Sequence, residues 1–530
     1  MPSITAFRCA ASVIAVLGIA LSCSGASGEP GRPDGLESTI AAGTLRGVRE
    51  SGVEVFRGIP FAAPPVGELR WKPPQPVAHW DGVRDAGAFA HDCMQTPFPG
   101  DEAPLRTTPS EDCLYLNVWK PAATRVKGTL PVLVWFYGGA FVTGGTSPAI
   151  YDGSSFARQD VIFVSFNYRL GRFGFFSHPA LTAEQGPVGN FAVSDQVAAL
   201  RWVKDNIAAF GGDPAKVTLI GESAGGTSVI NMLTVPSARG LFRGAIVMSG
   251  GGRSLLRTAT LETGEQVGID FAHREGIEGA GRASLKALRA LPAAAIQGKN
   301  LFADRLGQPM TYVGGYVADG NVVPHPSDTL MEAGDMARVP VMIGWTSADA
   351  GLSLAQDKDA LFASFGDHAA ALRKAYDPEG VRAFDALRDE IIRDQYMVEP
   401  ARFVARHAER LGQNAYLYRF GYVAQTMRGK WTGGAPHATD IPYFFDTVDA
   451  RYGAQTSVQD RDAARVANRY VVDFVKTGSP GGEGYGAWKP YRRSDETMLA
   501  FDMDARGASV PAPSPQKLDA VAAAASVPEQ

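Results

Sequence analysis

The chain has 530 residues, with 51 basic and 55 acidic side chains and a formal net charge of -4 at pH 7. Apolar residues make up 45% and charged residues 20% of the chain. Because these fractions are those of ordinary globular proteins, they exclude a disordered or coiled-coil protein. The near-neutral balance of charges also argues against a nucleic-acid-binding protein, which needs a basic surface.

The N-terminus is typical of an export signal. Arg8 supplies a positive charge, residues 10–21 form an apolar run, and small residues follow that offer a cleavage site. We predict that residues 1–26 are a signal peptide and that the protein is periplasmic or secreted. A buried N-terminal helix and a lipid anchor at Cys23 are the alternatives. Since the run is shorter than the about 20 apolar residues that span a bilayer, we expect no transmembrane segment.

Two cysteines, Cys93 and Cys113, are left in the predicted mature chain. An even number in an exported protein favours a disulfide, and two free buried thiols are the alternative. Such a bond would close a loop of about 20 residues and contribute about 3 kcal/mol. Neither a CxxC motif nor a histidine cluster accompanies the pair, so we predict no zinc site.

Five short apolar segments are predicted to be strands that are covered on both faces. In chain order they are residues 130–137, 161–167, 217–221, 244–249 and 339–344. Apolar residues at helical spacing occupy 194–210 and 462–475. Strands that alternate with helices predict one large α/β domain on a mainly parallel sheet. We place this domain at 35–510, followed by a flexible or helical tail at 511–530.

A candidate nucleophile follows the third predicted strand. Residues 221–225 read Gly-Glu-Ser-Ala-Gly and fit G-x-S-x-G between a strand and a helix, which is the context of a nucleophile elbow. The flanking glycines allow close approach of backbone segments in a sharp turn. Ser223 would then stand above the sheet, at the N-terminus of a helix that favours negative charge. A serine nucleophile also needs a base and an oxyanion hole.

Long motifs occur in a fixed order along the chain. They are FRGIPFAAPPVGELRW at 56–71, SEDCLYLNVW at 110–119, and DNIAAFGGDP at 205–214 ahead of the Ser223 motif. In these motifs the chain resembles the type-B carboxylesterase family of the α/β-hydrolase superfamily, which includes cholinesterases and bacterial p-nitrobenzyl esterases. The resemblance extends from about residue 44 to about residue 492. It implies an α/β-hydrolase fold with long loop and helical insertions, and a disulfide between Cys93 and Cys113.

The resemblance also implies an oxyanion hole and a base. Residues 137–141, Tyr-Gly-Gly-Ala-Phe, match the family's oxyanion loop, so the N–H groups of Gly139, Ala140 and Ala224 would receive the oxyanion. In α/β-hydrolases the histidine follows the serine and the acid along the chain. Of the eight histidines, only His437 has the family's context, with an acidic residue and aromatics after it.

The predicted acid is Asp349. Family members usually carry Glu in a G-x-x-x-x-E-G segment, and Asp349 stands at that position in the sequence GWTSADAG at 344–351. Aspartate is one methylene shorter but serves the same role in other triads. If Asp349 does not act, a nearby carboxylate must replace it. The resemblance further implies that Ser249 supports the acid through a hydrogen bond and that Glu222 lies close to bound substrate.

The predicted function is hydrolysis of a small-molecule carboxylic ester through an acyl-enzyme intermediate, without a metal or an organic cofactor. Arg172, Arg428 and Lys430 are candidate cations for an anionic acyl group. If they face the site, a polycarboxylate ester is the alternative substrate, since some bacterial relatives cleave tricarballylate esters from fumonisins. If they are solvated surface cations, no such preference follows.

Two other functions remain as alternatives. Amide, lactone or carbamate hydrolysis would use the same triad. A non-catalytic, cholinesterase-like adhesion protein is the alternative of another class, and the intact Ser223, His437 and oxyanion loop argue against it.

Overall fold

The computed structural model describes residues 36–98, 103–123, 127–253, 258–349, 353–481, 485–504 and 506–525. The predicted signal peptide, with Cys23, lies outside the described residues. So do residue 35, at the start of the predicted domain, and residues 526–530, at the end of the predicted tail.

Strands occur from one end of the described chain to the other. They are β1 (Leu36–Ile40), β2 (Gly43–Glu50), β3 (Val53–Pro60), β4 (Val83–Asp85), β5 (Tyr115–Pro121), β6 (Leu130–Phe136), β7 (Ile162–Phe166), β8 (Gly212–Glu222), β9 (Gly244–Met248), β10 (Ala259–Thr260), β11 (Val317–Ala318), β12 (Val341–Thr346), β13 (Ala415–Phe420), β14 (Thr497–Phe501) and β15 (Ala508–Pro511).

The α-helices of the same residues alternate with these strands or lie in insertions between them. They are α1 (Ser154–Ala157), α2 (Gly171–Gly174), α3 (Pro179–Gln185), α4 (Phe191–Asn206), α5 (Ala224–Met232), α6 (Leu261–Arg274), α7 (Arg282–Ala290), α8 (Ala293–Gln297), α9 (Leu301–Leu306), α10 (Ser327–Glu332), α11 (Lys358–Ala363), α12 (Ala369–Tyr376), α13 (Phe384–Arg393), α14 (Glu399–Arg410), α15 (Ile441–Phe444), α16 (Val448–Tyr452), α17 (Val458–Thr477) and α18 (Pro515–Ala525).

One large mixed sheet organises the described chain. Its strand order is β1-β2-β3-β5-β7-β6-β8-β9-β12-β13-β14-β15, with β4 beside β2. All neighbours from β7 to β14 are parallel. The pairs at the two ends of this order are antiparallel. Parallel strands must be covered on both faces, and helices such as α4, α5, α14 and α17 pack against them.

The predicted fold class is confirmed. The five predicted strands are β6, β7, β8, β9 and β12, which lie side by side in the parallel part of the sheet. Residues 194–210 fall in α4 and the 3-10 turn that follows it, and residues 462–475 fall in α17. The predicted insertions are also present, since α6–α10 lie between β9 and β12, and α11–α14 lie between β12 and β13.

Helix α17 shows how local sequence sets the helix ends. At its N-terminus, Ser457 and Asp460 form a capping box in which each side chain accepts from the other's backbone N–H. At its C-terminus, Gly478 adopts φ 77°, a left-handed conformation that glycine takes without strain.

The two remaining predictions about the chain concern its disulfide and its tail. Cys93 and Cys113 are joined by a disulfide, as predicted. Within the tail, residues 515–525 form α18, in which Leu518 and Val521 are buried. Within the described ranges, no helix combines the length and the apolar character needed to cross a bilayer.

Candidate active site

The candidate site lies where four parallel strands end. Strands β6, β8, β12 and β13 are all parallel members of the sheet, so their carboxyl ends meet at one edge. The oxyanion loop follows β6, Ser223 follows β8, Asp349 follows β12, and the segment with His437 follows β13.

Ser223 occupies a strained turn between β8 and α5. Its backbone has φ 54° and ψ −123°, a conformation that is costly for a residue with a side chain. Close packing enforces the turn, because a Cβ on Gly221 would lie 2.3 Å from Gly225 O, and one on Gly225 would lie 2.0 Å from Phe136 O. The Ser223 N–H donates to Met248 O over 2.9 Å. This strand-turn-helix geometry is that of a nucleophile elbow.

The predicted oxyanion loop lies against this turn. A Cβ on Gly138 would lie 3.1 Å from Ser223 Cβ, so the loop approaches the serine as closely as glycine permits. Gly139 and Ala140 both have positive φ, 111° and 54°. Ala224 is the first residue of α5, and helical geometry leaves the N–H of a first residue without a carbonyl of its own helix to accept it. The structure therefore places the loop that contains Gly139 and Ala140 beside the turn that contains Ser223 and Ala224.

Backbone pairing between two loops positions the acid beside the base. Ala348 and Pro436 form a parallel bridge, and the Ala348 N–H donates to Ala435 O over 2.9 Å. The next residues along the two segments are Asp349 and His437. Their side chains meet, with His437 Nδ1 donating to Asp349 Oδ1 over 2.6 Å.

The second oxygen of Asp349 is held by the neighbouring strands. Oδ2 accepts from Ser249 Oγ over 2.7 Å and from the Thr346 N–H over 3.0 Å. Burial would raise the pKa of the Asp349 carboxyl, but His437 and these donors lower it. The structure thus places Ser249 where it stabilises the ionised form of Asp349.

A second carboxyl faces the other side of the imidazole. Glu222 is buried, and its Oε1 lies 3.2 Å from His437 Nε2. Burial raises the pKa of Glu222 to about 8; His437 opposes this shift, while Asp440 and Asp349 add to it. Burial would lower the pKa of His437, but Asp349 and then Glu222 raise it to about 10. Because both pKa values are raised, Glu222 and His437 each hold a proton to a higher pH than the same side chain would in water.

Sequence reasoning missed a third carboxyl, Asp440. It is fully buried, and Tyr418 donates its hydroxyl proton to Oδ2 over 3.1 Å. Burial and the charge of Asp349 raise the pKa of Asp440 to about 7. The only sequence signal was an acidic residue shortly after His437, which does not by itself distinguish a buried carboxyl from an exposed one.

Arg172, one of the candidate cations for an anionic acyl group, is buried and hydrogen-bonded to other groups of the protein, so it is not a solvated surface cation. Arg172 is 1% exposed, and all three guanidinium nitrogens donate hydrogen bonds. Nε donates to Thr311 O, Nη1 to Ile296 O, and Nη2 to the Asp304 carboxylate over 2.6 Å. The guanidinium group of Arg172 therefore makes its hydrogen bonds within the protein, and these bonds join α2 to the insertion between β9 and β12.

The other two candidate cations lie upstream of His437 and are exposed. Arg428 donates through Nε to Val423 O over 3.2 Å, and its guanidinium lies 5.7 Å from the centre of the Tyr422 ring. Lys430 lies two residues further on, next to the half-buried Trp431. Among the residues that the structure describes, no group of three or more His, Cys, Asp and Glu side chains is arranged to hold a metal ion.

A serine at a strand-to-helix turn, with a histidine–carboxylate pair at the same edge of a mainly parallel sheet, defines the class of α/β-hydrolases. Within that class the chain belongs to the carboxylesterase family, whose model matches residues 35–382 and 370–517.

Curated relatives agree with the family assignment. The chain is 33% identical over 479 residues to fumonisin B1 esterase from Sphingopyxis macrogoltabida, covering 86% of this chain and 85% of that protein. It is 34% identical over 489 residues to acylcarnitine hydrolase from Mus musculus, covering 86% and 84%. It is 32% identical over 487 residues to para-nitrobenzyl esterase from Bacillus subtilis (strain 168), covering 88% and 94%. The protein is accordingly a carboxylic ester hydrolase that acts on small-molecule esters.

Proposed function

We propose that Ser223, His437 and Asp349 form the catalytic triad of this ester hydrolase. The observation that carries the proposal is the 2.6 Å contact of His437 Nδ1 with Asp349 Oδ1, since it orients the imidazole and leaves Nε2 to act as the base. His437 takes the proton of Ser223 Oγ while Oγ attacks the ester carbonyl carbon. The protonated His437 then gives this proton to the leaving alcohol, and Asp349 stabilises the imidazolium in between.

The second half of the reaction repeats these roles with water. His437 removes a proton from water, the hydroxide attacks the acyl carbon, and the carboxylic acid leaves Ser223. In both halves the carbonyl oxygen becomes negative, and the N–H groups of Gly139, Ala140 and Ala224 stabilise it. Loss of one such donor typically costs about 2.7–4 kcal/mol in transition-state stabilisation.

Glu222 is proposed to act on the base rather than on the carbonyl. Its Oε1 lies 3.2 Å from His437 Nε2, on the side from which the proton moves. A carboxylate there stabilises the imidazolium that forms during each half-reaction, in addition to Asp349.

The test compares the hydrolysis of p-nitrophenyl butyrate by the wild type and by Ser223→Ala. We expect kcat to fall by at least about 10⁴-fold, because the variant lacks the hydroxyl that forms the acyl-enzyme. Ser237→Ala is the matched control, since Ser237 is exposed on a short turn after α5, and it should retain wild-type activity. Hydrolysis that survives in Ser223→Ala would contradict the triad. If the wild type hydrolysed none of the esters tested, that result would instead favour a non-catalytic binding protein.

A polycarboxylate ester is the second candidate substrate. The observation that favours it is the 33% identity to a fumonisin B1 esterase. Arg172 already forms an ion pair with Asp304. A carboxylated acyl group would therefore be bound by exposed cations such as Arg428 and Lys430. A raised kcat/KM for a carboxylated ester over its neutral analogue, lost in Lys430→Ala, would support this substrate. Equal kcat/KM values for the two esters would favour a carboxylesterase without a preference for charged acyl groups. A panel of amides, lactones and carbamates would test whether the enzyme also cleaves other bonds.

We further propose that residues 1–26 direct export and are removed, and that the mature chain is one catalytic domain at 35–510 followed by the tail at 511–530. The disulfide between Cys93 and Cys113 supports export, since such bonds persist in oxidising compartments. Mass spectrometry of the exported protein would test this. A mature N-terminus near residue 27 is expected, whereas an intact Met1 would contradict export by cleavage, and a lipid on Cys23 would indicate the anchored form.

A further inference from the structure

Ser347 joins the loop of the proposed acid, residues 347–349, to the loop of the proposed base, residues 434–437. Its Oγ accepts from the N–H of Ala435 over 2.9 Å. The next residue of the acid loop, Ala348, donates its N–H to Ala435 O over 2.9 Å. Ser347 lies two residues before Asp349, and Ala435 lies two residues before His437. The acid loop therefore binds both polar backbone groups of Ala435, close to the contact between the acid and the base.

The two loops approach this closely because residue 434 has no side chain. A Cβ on Gly434 would lie 2.5 Å from Ser347 Oγ, which is too short for a real contact, and Gly434 has φ 122°. Ala435 is fully buried. A buried N–H without an acceptor is costly, so the base loop would have to move to find another acceptor if the serine hydroxyl were removed.

Ser347 is itself held by two other parts of the chain. Its N–H donates over 2.8 Å to the carbonyl oxygen of Phe420, the last residue of β13. Its carbonyl oxygen accepts from Nη1 of Arg393, the last residue of α13, over 3.1 Å. The hydroxyl therefore extends from a fixed backbone, and a fixed acceptor sets the position of the group that it binds.

The contact between the acid and the base depends on the spacing of the loops because aspartate is the shortest acidic side chain. Glutamate is longer by one carbon–carbon bond, about 1.5 Å. Asp349 Oδ1 lies 2.6 Å from His437 Nδ1, and Oδ2 is already bound by Ser249 and Thr346. The carboxylate therefore cannot follow His437 if the base loop moves away. A displacement of about 1 Å in an active site can cost about a hundredfold in rate.

We propose that Ser347 is a positioning residue that sets the distance between the acid loop and the base loop to the length of an aspartate side chain. It acts on His437 through Ala435. The proposal rests on the proposed function and deepens it, because it gives the reason why aspartate serves as the acid of this triad. It also means that residues 347 and 349 are coupled, so that a change at one alters which side chain works best at the other.

The test is a double-mutant cycle with Ser347→Ala and Asp349→Glu, in which kcat and KM are measured on p-nitrophenyl butyrate. Ser347→Ala alone should lower kcat by about tenfold with little change in KM, since the imidazole moves while the substrate pocket stays in place. Asp349→Glu alone should also lower kcat, because the added methylene does not fit between closely spaced loops. In the double variant the longer side chain spans the wider gap, so its kcat should exceed the product of the single effects by about tenfold.

Ser457→Ala is the matched control. Ser457 Oγ also accepts from a backbone N–H, that of Asp460 over 3.0 Å at the start of α17, and Ser457 is half-buried like Ser347. We expect this variant to melt at a lower temperature with an unchanged kcat. The comparison separates the loss of a hydrogen bond between a serine and the backbone from the loss of position at the triad.

A second pair of variants tests the hydroxyl at nearly constant side-chain shape. Ser347→Thr keeps the hydroxyl and should retain a kcat near that of the wild type. Ser347→Val has a similar shape without the hydroxyl, so its kcat should fall as in Ser347→Ala. Equal kcat values in the Thr and Val variants would overturn the role of Ser347.

The remaining outcomes separate this role from the triad itself. Single effects on kcat that simply multiply in the double variant would overturn the coupling. A Ser347→Ala variant that melts at a lower temperature but keeps the wild-type kcat would overturn the positioning role and leave the triad in place. Absence of any Ser223-dependent turnover in the wild type would overturn the proposed function, and this inference with it.

Discussion

Asp349 Oδ1 accepts a hydrogen bond from His437 Nδ1 over 2.6 Å, at the point where the loops after β12 and β13 pair. The other oxygen of Asp349 accepts from Ser249 Oγ over 2.7 Å. An aspartate reaches the histidine here because the bridge between Ala348 and Pro436 draws the two segments together. The longer side chain of glutamate is therefore not needed in this chain.

Asp349→Asn should reduce kcat by about 10⁴-fold with little change in KM, because an amide can hold His437 in the wrong tautomer and cannot stabilise the imidazolium. Steady-state kinetics on p-nitrophenyl butyrate would measure this, with thermal melting to show that the variant folds. A kcat near that of the wild type would mean that another carboxylate acts as the acid.

Glu222→Gln should move the acid limb of the pH profile of kcat/KM to lower pH. The carboxylate of Glu222 raises the pKa of His437, so its removal lets the imidazole stay neutral, and able to act as a base, in more acidic solution. Glu278→Gln is the control, since Glu278 is exposed and should leave the profile in place. An acid limb that does not move in Glu222→Gln would show that Glu222 does not act on the base.

Asp440→Asn should stabilise the protein above pH 7. The pKa of Asp440 is raised from 3.8 in the unfolded chain to about 7 in the fold, so the folded protein favours the protonated carboxyl. The stability that this group contributes is full below pH 3.8 and is lost as the pH rises through about 7. The melting temperature of the variant should exceed that of the wild type in alkaline buffer, and the difference should shrink in acid. A difference that is constant with pH would contradict the raised pKa.

The parts of the fold that were predictable from sequence are those that local patterns encode. Parallel strands β6, β7, β8, β9 and β12 are covered on both faces and read as continuous apolar runs. The antiparallel strands β1 and β2 alternate buried with more exposed residues and lie outside these runs. They were not predicted as strands.

The residues of the site likewise fall into those that local patterns predict and those that they do not. Ser223 and the oxyanion loop lie in short contiguous motifs, whereas the environments of Arg172 and Asp440 depend on distant segments. Arg172 pairs with Asp304, 132 residues away, and the burial of Asp440 depends on contacts such as that with Tyr418 on β13. No local pattern encodes such pairings, so neither the ion pair of Arg172 with Asp304 nor the buried position of Asp440 was predicted.

Gln95 positions the segment that follows the oxyanion loop. Its Oε1 accepts from Thr143 Oγ1 over 2.7 Å and from the Gly144 N–H over 2.8 Å, and its Nε2 donates to Gly144 O and Cys93 O. Gln95→Leu leaves these groups unpaired, so we expect kcat to fall by about tenfold or more while KM changes little. Gln75→Leu, at an exposed position, is the matched control. A change in melting temperature without any change in kcat would assign Gln95 to stability alone.

The central claim is that Ser223 becomes covalently acylated, and the most direct measurement labels it. The protein is treated with diethyl p-nitrophenyl phosphate, and the released p-nitrophenol, the remaining esterase activity and the labelled peptide are followed together. We predict one phosphoryl group per chain, on Ser223, with activity lost in step with labelling and no labelling in Ser223→Ala. A label on another residue, or full esterase activity in a protein labelled at Ser223, would contradict the proposed mechanism.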